Sequence, residues 1–358
     1  MNPSDEPLDH DAGTTFSERL FGIYTSAVLS LMIDLGHRLD LFTTAASGPA
    51  TSTELATRAG LDERYVREWL GAMATSGILT FDPTDRRYVL PPEHAAALTG
   101  PTSTNQAPRA AMATLLGRNL DDIEKAFRHG GGVPYSAFAP EFTGVMDALH
   151  RRPVDELLVD RWLPVAPELV RRLTAGVRVA DVGCGTGHAI NVLAAAFPAS
   201  RFVGFDLSES AIERAREETA GRGLTNADFV AADLTRLAER DAFDVVFAFD
   251  AIHDQADPAR VLRKIRDALA PDGTFFMFDI AAASDVADNL ANPYAPWTYS
   301  ISTLHCMTVS LAEGGAGLGA AWGEELARQL LSEAGFTDVA VTPAPGEESN
   351  LIYVSRPA

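Results

Sequence analysis

Cysteine is nearly missing. The 358 residues hold only Cys184 and Cys306, which excludes a disulfide framework and makes a reducing cytoplasm the natural setting. Positive charge is also scarce: 29 Lys and Arg stand against 49 Asp and Glu, a formal net charge of −20. Nucleic-acid affinity is carried mostly by Lys and Arg neutralising phosphates, so no DNA or RNA partner is expected. The uncharged apolar stretch Leu20 to Ile33 covers 14 residues, short of the ~20 needed to cross a bilayer, and no membrane partner is expected either. The opening Met1 to Asp11 is acidic and polar, the reverse of a secretory n-region, and residues 1–15 read as a disordered tail. The eight histidines are scattered along the chain without the close His/Cys/acid spacing that zinc needs, so no metal is expected in the chemistry.

What is present is a large apolar fraction, 46% of the chain, enough for buried cores in two domains. The most informative stretch is Val179-Ala180-Asp181-Val182-Gly183-Cys184-Gly185-Thr186-Gly187: an apolar strand, a GxGxG turn and then a helix from Ala189 to Phe197. Glycines let the backbone approach a ligand closely, and the helix presents its free N–H groups beside the turn. Arg201 to Asp206 reads as a second strand ending in a carboxylate, about 20 residues past the glycines, where a ribose diol would sit. The dinucleotide fingerprint asks for Gly or Ala where His188 stands, and a pyrophosphate needs the helix N-terminus clear. Adenosylmethionine has no phosphate, and its ammonium group suits Asp181 at the end of the first strand.

On these residues the chain resembles the class I S-adenosylmethionine-dependent methyltransferases. Asp181 to Gly187 matches their first motif and Asp206 their second-strand acid. Ala231-Ala232-Asp233-Leu234 looks like the segment whose Asp contacts the adenine amine, and Phe243 to Asp250 like the strand beside the methyl donor. The resemblance covers roughly residues 165–358. It implies S-adenosyl-L-methionine as cofactor, held by Asp181, Gly183, Cys184, Gly185, Gly187, Asp206, Leu207, Ala232, Asp233, Leu234, Phe249 and Asp250. The implied fold class is α/β: a Rossmann-like seven-stranded class I methyltransferase domain preceded by a mostly helical winged-helix dimerisation domain.

The front half supports the second element. Ser17 to Leu35 is apolar nearly all round, the pattern of a helix buried on more than one side, and a subunit interface would supply the second side. Thr51-Ser52-Thr53-Glu54 offers N-caps for a short helix ending at Gly60, and Asp62 caps another running to Met73. Ile78 to Phe81 and Arg87 to Leu90 then read as a hairpin. Helix, helix, hairpin is a winged helix, but residues 51–100 hold five arginines against seven acids, a poor footprint for a duplex. The arrangement resembles instead the N-terminal module of small-molecule O-methyltransferases, and most closely that of actinobacterial winged-helix methyltransferases, where it serves dimerisation. A homodimer through the N-terminal helices is therefore expected. Domains are placed at 16–100, at 101–164 for a helical linker contributing to the substrate pocket, and at 165–358.

Methyl transfer from a sulfonium needs the nucleophile held in line with the methyl carbon, and a hydroxyl nucleophile also gains from a base. Asp250 to Pro258 follows the fourth strand at its C-terminal end, where ligands gather in open α/β sheets. It resembles the HDW-type motif of O-methyltransferases, which makes His253 the general base and Asp254 its neighbour, although Gln255 stands where the family usually has Trp. The other reading of His253 is a helix cap or a backbone-bonded core histidine. An insertion at about 281–322 is read as a cover, with His305 as second candidate base, Tyr294, Trp297, Tyr299, Ile301 and Met307 facing a small, apolar or aromatic acceptor, and Gly314, Gly315, Gly317 and Gly319 as a flexible stretch that lets it open. Ile301, Leu304, Thr308 and Leu311 are expected on one helical face. The competing functions are an adenosylmethionine-sensing winged-helix transcription regulator and an enzyme of this fold catalysing a non-methylating reaction.

Overall fold

A computed structural model describes residues 15–139 and 141–358; the tail expected to be disordered lies, apart from Thr15, outside the described residues. The chain divides into two compact units, Met1–Thr114 and Leu115–Ala358.

The first unit opens with the helix Phe16–Arg38, started by a capping box between Thr15 and Glu18, which satisfies two of its orphan N-terminal donors. Its apolar residues were expected to be buried, yet Asp34 and Gly36 are the buried ones. Phe21, Tyr24, Val28, Leu31 and Leu35 are all exposed, Phe21 by 72%. They recur three and four residues apart and so form one stripe. At 23 residues the helix is also long and apolar enough, by length and composition, to cross a membrane, because helical structure extends past the uncharged core of the sequence run. Behind it, Ser52–Ala59 starts at a Thr51/Glu54 capping box and stops at Gly60, and Glu63–Thr75 starts at Asp62. Val66, Trp69, Leu70 and Met73 bury against Leu41, Phe42 and Leu55. Strands β1 (Thr80–Asp82) and β2 (Arg87–Val89) pair antiparallel, completing the winged helix read from the sequence.

The second unit is built on β3 (Arg178–Val182), β4 (Arg201–Asp206), β5 (Ala227–Ala231), β6 (Phe243–Phe249), β7 (Leu269–Ile280), β8 (Phe336–Ala344) and β9 (Glu347–Pro357) in the order β5-β4-β3-β6-β7-β9-β8. The first five are parallel, and β9 and β8 close the edge antiparallel. Both faces are covered, so the central strands are apolar on both sides: Val179, Val245, Phe247 and Phe276 pack on one face, Ala180, Val182, Val246, Phe275 and Met277 on the other. Chain order reverses direction between β3 and β6, which opens a crevice beyond their C-terminal ends.

The insertion after β7 is largely helical. Ala295–Ile301 runs through a π-helical turn at Ser302–Cys306 into Met307–Ala312. The widened turn shifts the phase of the helix, which breaks the face expected of Ile301, Leu304, Thr308 and Leu311: Thr308 is buried and accepts the Val133 N–H at 2.9 Å, whereas Leu304 lines an open cleft. Of the glycines expected to be flexible, Gly314 is open but Gly315, Gly317 and Gly319 are tightly packed. A Cβ on Gly319 would lie 2.1 Å from Ser302 Oγ, and one on Gly315 2.5 Å from Ala256 Cα. Gly315 and Gly317 also donate their N–H groups to Ser310. Small residues are needed there for close approach of the chain.

Candidate active site

Two groups of residues meet at the crevice. The first surrounds the glycine turn. Gly183 and Cys184 donate their N–H groups to Phe205 O, and Gly185 N donates to Asp206 Oδ2 at 2.8 Å, so the turn after β3 is laced to the end of β4. The glycines do different work. At Gly187, φ is +72° and a Cβ would lie 2.4 Å from the Phe229 ring; at Gly185, φ is +53° and a Cβ would meet nothing within 4 Å. The former packs helix on sheet and the latter leaves backbone open to a ligand. His188, the residue that departs from the dinucleotide fingerprint, starts the helix His188–Ala196 with Nδ1 2.8 Å from Glu218 and Nε2 2.9 Å from Asp155. From outside, Asp147 accepts the Thr186 hydroxyl while paired to Arg151 at 2.9 Å, a brace that no sequence motif marks.

Asp181 lies beneath this turn, 1% exposed, with Oδ1 lacking any hydrogen-bond partner. Burial, and then the neighbouring Asp206 charge, push its carboxyl up to about 8. A buried acid with an orphan oxygen is costly unless something cationic arrives, and the ammonium of adenosylmethionine answers that need. Asp206 keeps lone pairs beyond its bonds to Gly185 and Ser208, and burial raises its pKa despite those bonds. Leu207 beside it is 71% exposed, an apolar surface fit for a heterocycle. Ala232 donates its N–H to Asp206 O and Leu234 is buried. Asp233 Oδ1 accepts the Thr235 N–H and hydroxyl, which hold its carboxyl below the usual range. Cys184 is half-buried and Phe249 stacks on Phe247. The residues present fit adenosylmethionine.

The second group follows β6. Asp250 has φ +48°, a left-handed turn rare outside glycine that ends the strand, and its Oδ1 accepts Asn350 Nδ2 at 2.8 Å. Burial, then Asp279, raise its pKa well above the ordinary value. His253, 3% exposed, neither caps a helix nor bonds backbone. The cap of Pro258–Ala268 is Asp257, and His253 Nδ1 lies 2.7 Å from Asp279 Oδ1. Asp279 closes β7, and β6 pairs β7 with Phe249 opposite Phe278, so neighbouring strand ends bring the two together. The same Asp279 oxygen accepts the Ile280 N–H at 2.8 Å and the Trp322 indole at 3.1 Å. Burial alone would lower the His253 pKa, but Asp279 and Asp254 hold it well above the ordinary value. Asp254 Oδ1 is 3.4 Å from Nε2, and the Cys306 thiol, pushed up to about 12 by burial, lies within hydrogen-bond reach of the same histidine.

His305 stands in an aromatic wall. It stacks on Phe142 with centroids 3.7 Å apart and meets Tyr135 and Phe138 edge-on. Both ring nitrogens lack partners, and burial drives its pKa down to about 4. Of the expected pocket residues, Tyr299 lines an open cleft of about 600 Å³ with Leu120, Ile123 and Phe127, and its hydroxyl accepts Asn289 Nδ2. Ile301 and Met307 are half-buried. Tyr294 and Trp297 are each 44% exposed and project outward.

With this geometry in view, comparison with known proteins is decisive at the domain level. Residues 27–100 match the family model of the Rv2258c-like winged HTH domain and residues 173–335 that of a methyltransferase domain. The chain joins a winged-helix domain to a methyltransferase domain. Among curated relatives, a trans-aconitate 2-methyltransferase of Variovorax paradoxus (strain S110) is 37% identical over 129 residues, 35% of this chain and 46% of that one. The enzyme of the same description from Paracidovorax citrulli (strain AAC00-1) is 32% identical over 168 residues, 43% of this chain and 58% of that one. The chain thus spans about half the length of the curated relatives it matches. Solved structures extend the fold to both domains. The mitomycin 7-O-methyltransferase MmcR aligns over 96% of this chain and 98% of its own at TM-score 0.72 and 21% identity. Human N-acetylserotonin methyltransferase in complex with SAM aligns over 98% and 100% at TM-score 0.68 and 18% identity.

Proposed function

We propose that the chain transfers a methyl group from S-adenosylmethionine to the hydroxyl of a small, uncharged, apolar or aromatic acceptor, with His253 taking the hydroxyl proton. The observation that carries this reading is the Asp279–His253 pair at 2.7 Å, which ties up Nδ1 and leaves Nε2 as the proton acceptor. Bound in the crevice, adenosylmethionine supplies an electrophilic methyl carbon and a neutral thioether leaving group. Asp181 and Asp206 hold the donor's ammonium and ribose, and the turn at Gly185 lets it lie against backbone. His253 Nε2 would take the proton that the acceptor hydroxyl loses on methylation, while the donor would leave as a neutral thioether. Only the neutral imidazole can take that proton; because Asp279 and Asp254 stabilise the cation, the neutral fraction and with it the rate rise with pH, and a positioned base of this kind is worth about 10² to 10⁴ in rate.

The curated relatives are named for trans-aconitate, an anionic acceptor. Here Asp250, Asp254 and Asp279 surround the base, and that acidity disfavours a tricarboxylate. A neutral acceptor suits both the acidity and the wall of Tyr135, Phe138 and Phe142. The second reading, an adenosylmethionine-responsive DNA binder, is favoured by the winged-helix match. Against it, Arg64 pairs with Glu68 at 2.6 Å and Arg67 with Glu63 at 3.4 Å, so both arginines on the helix that would enter a groove face acids.

The exposed stripe from Phe21 to Leu35 is assigned to a second copy of the chain, as in the expected homodimer. Calorimetric titration with adenosylmethionine, followed by incubation with hydroxylated aromatics and mass measurement of the products, tests the enzyme. Binding and a gain of one methylene are expected; no binding at millimolar ligand overturns the reading.

A further inference from the structure

The His253 side of the crevice holds a feature that methyl transfer does not require. His253, Asp254 and Cys306 each offer one ligand atom, and the three atoms lie within 4.8 Å of one another. Asp254 Oδ1 is buried without an N–H or O–H donor; the Cys306 thiol lies within reach of the Asp254 carboxylate and His253 Nε2 stands 3.4 Å away. That separation is too long and poorly directed for a hydrogen bond. It equals the edge of a tetrahedron whose centre lies at zinc–nitrogen and zinc–oxygen distances, about 3.4 Å for bonds of about 2.0–2.2 Å.

The surrounding shell is built as metal sites are. A ligating histidine typically gives its other ring nitrogen to a carboxylate that is itself held. Here Nδ1 faces Asp279, and Asp279 is fixed by the Ile280 N–H and the Trp322 indole. Cys306 is placed by the π-helical turn Ser302–Cys306. Its neighbour His305 is 2% exposed with both ring nitrogens unpartnered, a polar group available to a water in the fourth position. The alternative cluster of Asp250, His253 and Asp279 is weaker, because His253 Nδ1 is already bonded to Asp279 Oδ1 and Asp250 Oδ1 to Asn350, and it offers no thiolate.

We propose that His253 Nε2, Asp254 Oδ1 and Cys306 Sγ form a three-ligand site for a borderline-soft divalent cation of the zinc class. One imidazole, one carboxylate and one thiolate select such an ion over magnesium, which prefers oxygen ligands. Binding displaces to solvent the thiol proton and the Nε2 proton of the imidazolium that Asp279 and Asp254 favour. It also occupies the nitrogen lone pair that the proposed reaction uses, so the ion reversibly inhibits methyl transfer; that consequence, unlike the site itself, rests on the functional reading above.

Cobalt(II) serves as a spectroscopic probe of the purified full chain without donor or acceptor. A thiolate-to-cobalt charge-transfer band at one equivalent is expected, displaced by zinc and not by magnesium. The band should vanish in Cys306→Ser, persist in Cys184→Ser, and require at least tenfold more cobalt in His253→Ala and Asp254→Ala. As a check independent of variant folding, zinc should protect Cys306 of the unaltered protein from alkylation, read by mass spectrometry. Absence of the band at millimolar cobalt, its loss in Cys184→Ser, or alkylation of Cys306 unchanged by zinc overturns the proposal, and none of these outcomes depends on methyl transfer being the reaction.

Discussion

Asp279 Oδ1 and His253 Nδ1 are 2.7 Å apart at the ends of two adjacent parallel strands, both nearly inaccessible to solvent. An imidazole held this way has one tautomer and one orientation when neutral, with Nε2 left for chemistry. His253→Ala is expected to lower kcat by about 10² or more while leaving adenosylmethionine affinity unchanged. Asp279→Asn should lower kcat in the same direction with little change in KM, since the amide offers the ring an ambiguous partner. Steady-state kinetics beside calorimetry checks both, and an unaltered turnover in His253→Ala removes the base assignment.

Asp181 predicts the pH dependence of donor binding. Its carboxyl, raised to about 8, is mostly protonated at neutral pH in the free protein, whereas a cationic ligand prefers the carboxylate. Affinity should therefore rise with pH, by up to about tenfold per unit below 8. It should fall again as the ligand's own α-amino group, with a pKa of about 8, loses its charge. Asp181→Asn should weaken binding and flatten the acid limb. Calorimetry across pH reads this directly, and an acid limb unchanged in the variant would place the ammonium elsewhere.

The stripe on the first helix predicts the oligomeric state. Phe21→Glu with Leu31→Glu puts two charges on one exposed face, leaving the unit's own core untouched. Light scattering after gel filtration should show a dimer for the parent chain and a monomer for the double variant, with thermal stability of the separate domains retained. A parent chain that runs as a monomer contradicts the assignment.

The glycines of the cover predict a stability effect. With φ +72° and Ser302 Oγ 2.1 Å from a built Cβ, Gly319→Ala should destabilise the protein by about 1–3 kcal/mol through backbone strain and overpacking. A hinge glycine in open solvent would instead give a neutral or stabilising change. Chemical denaturation distinguishes the two.

The strand, glycine turn and helix of the methyltransferase domain and the capped helices of the winged helix were legible from spacing. The caps at Thr51 and Asp62 act on residues within a few positions, and the glycines and Asp206, though laced together across 21 positions, stand at the spacing of a recurring motif, so spacing alone displays them. The place of His253 after a strand was legible, but its partner was not: Asp279 lies 26 positions away and reads in sequence as the polar end of an apolar run. The brace of Asp147 on Thr186 spans 39 positions and has no pattern at all. The packing of Gly315, Gly317 and Gly319 was hidden for the same reason, since glycine serves either freedom or close approach, and only the neighbouring atoms decide between them.

From residue order alone came the α/β class, the winged helix, the methyltransferase domain and the acid balance that disfavours nucleic acid, because periodicity, capping and net charge are properties of short segments and sums. Tertiary structure alone decided that His253 faces Asp279, that Asp254 and Cys306 meet it, that His305 sits unpartnered among aromatic rings and that the first helix is bare. Each of these depends on which strand ends lie side by side and on the phase of a helix after a π turn, and neither quantity is encoded in the spacing of the residues themselves.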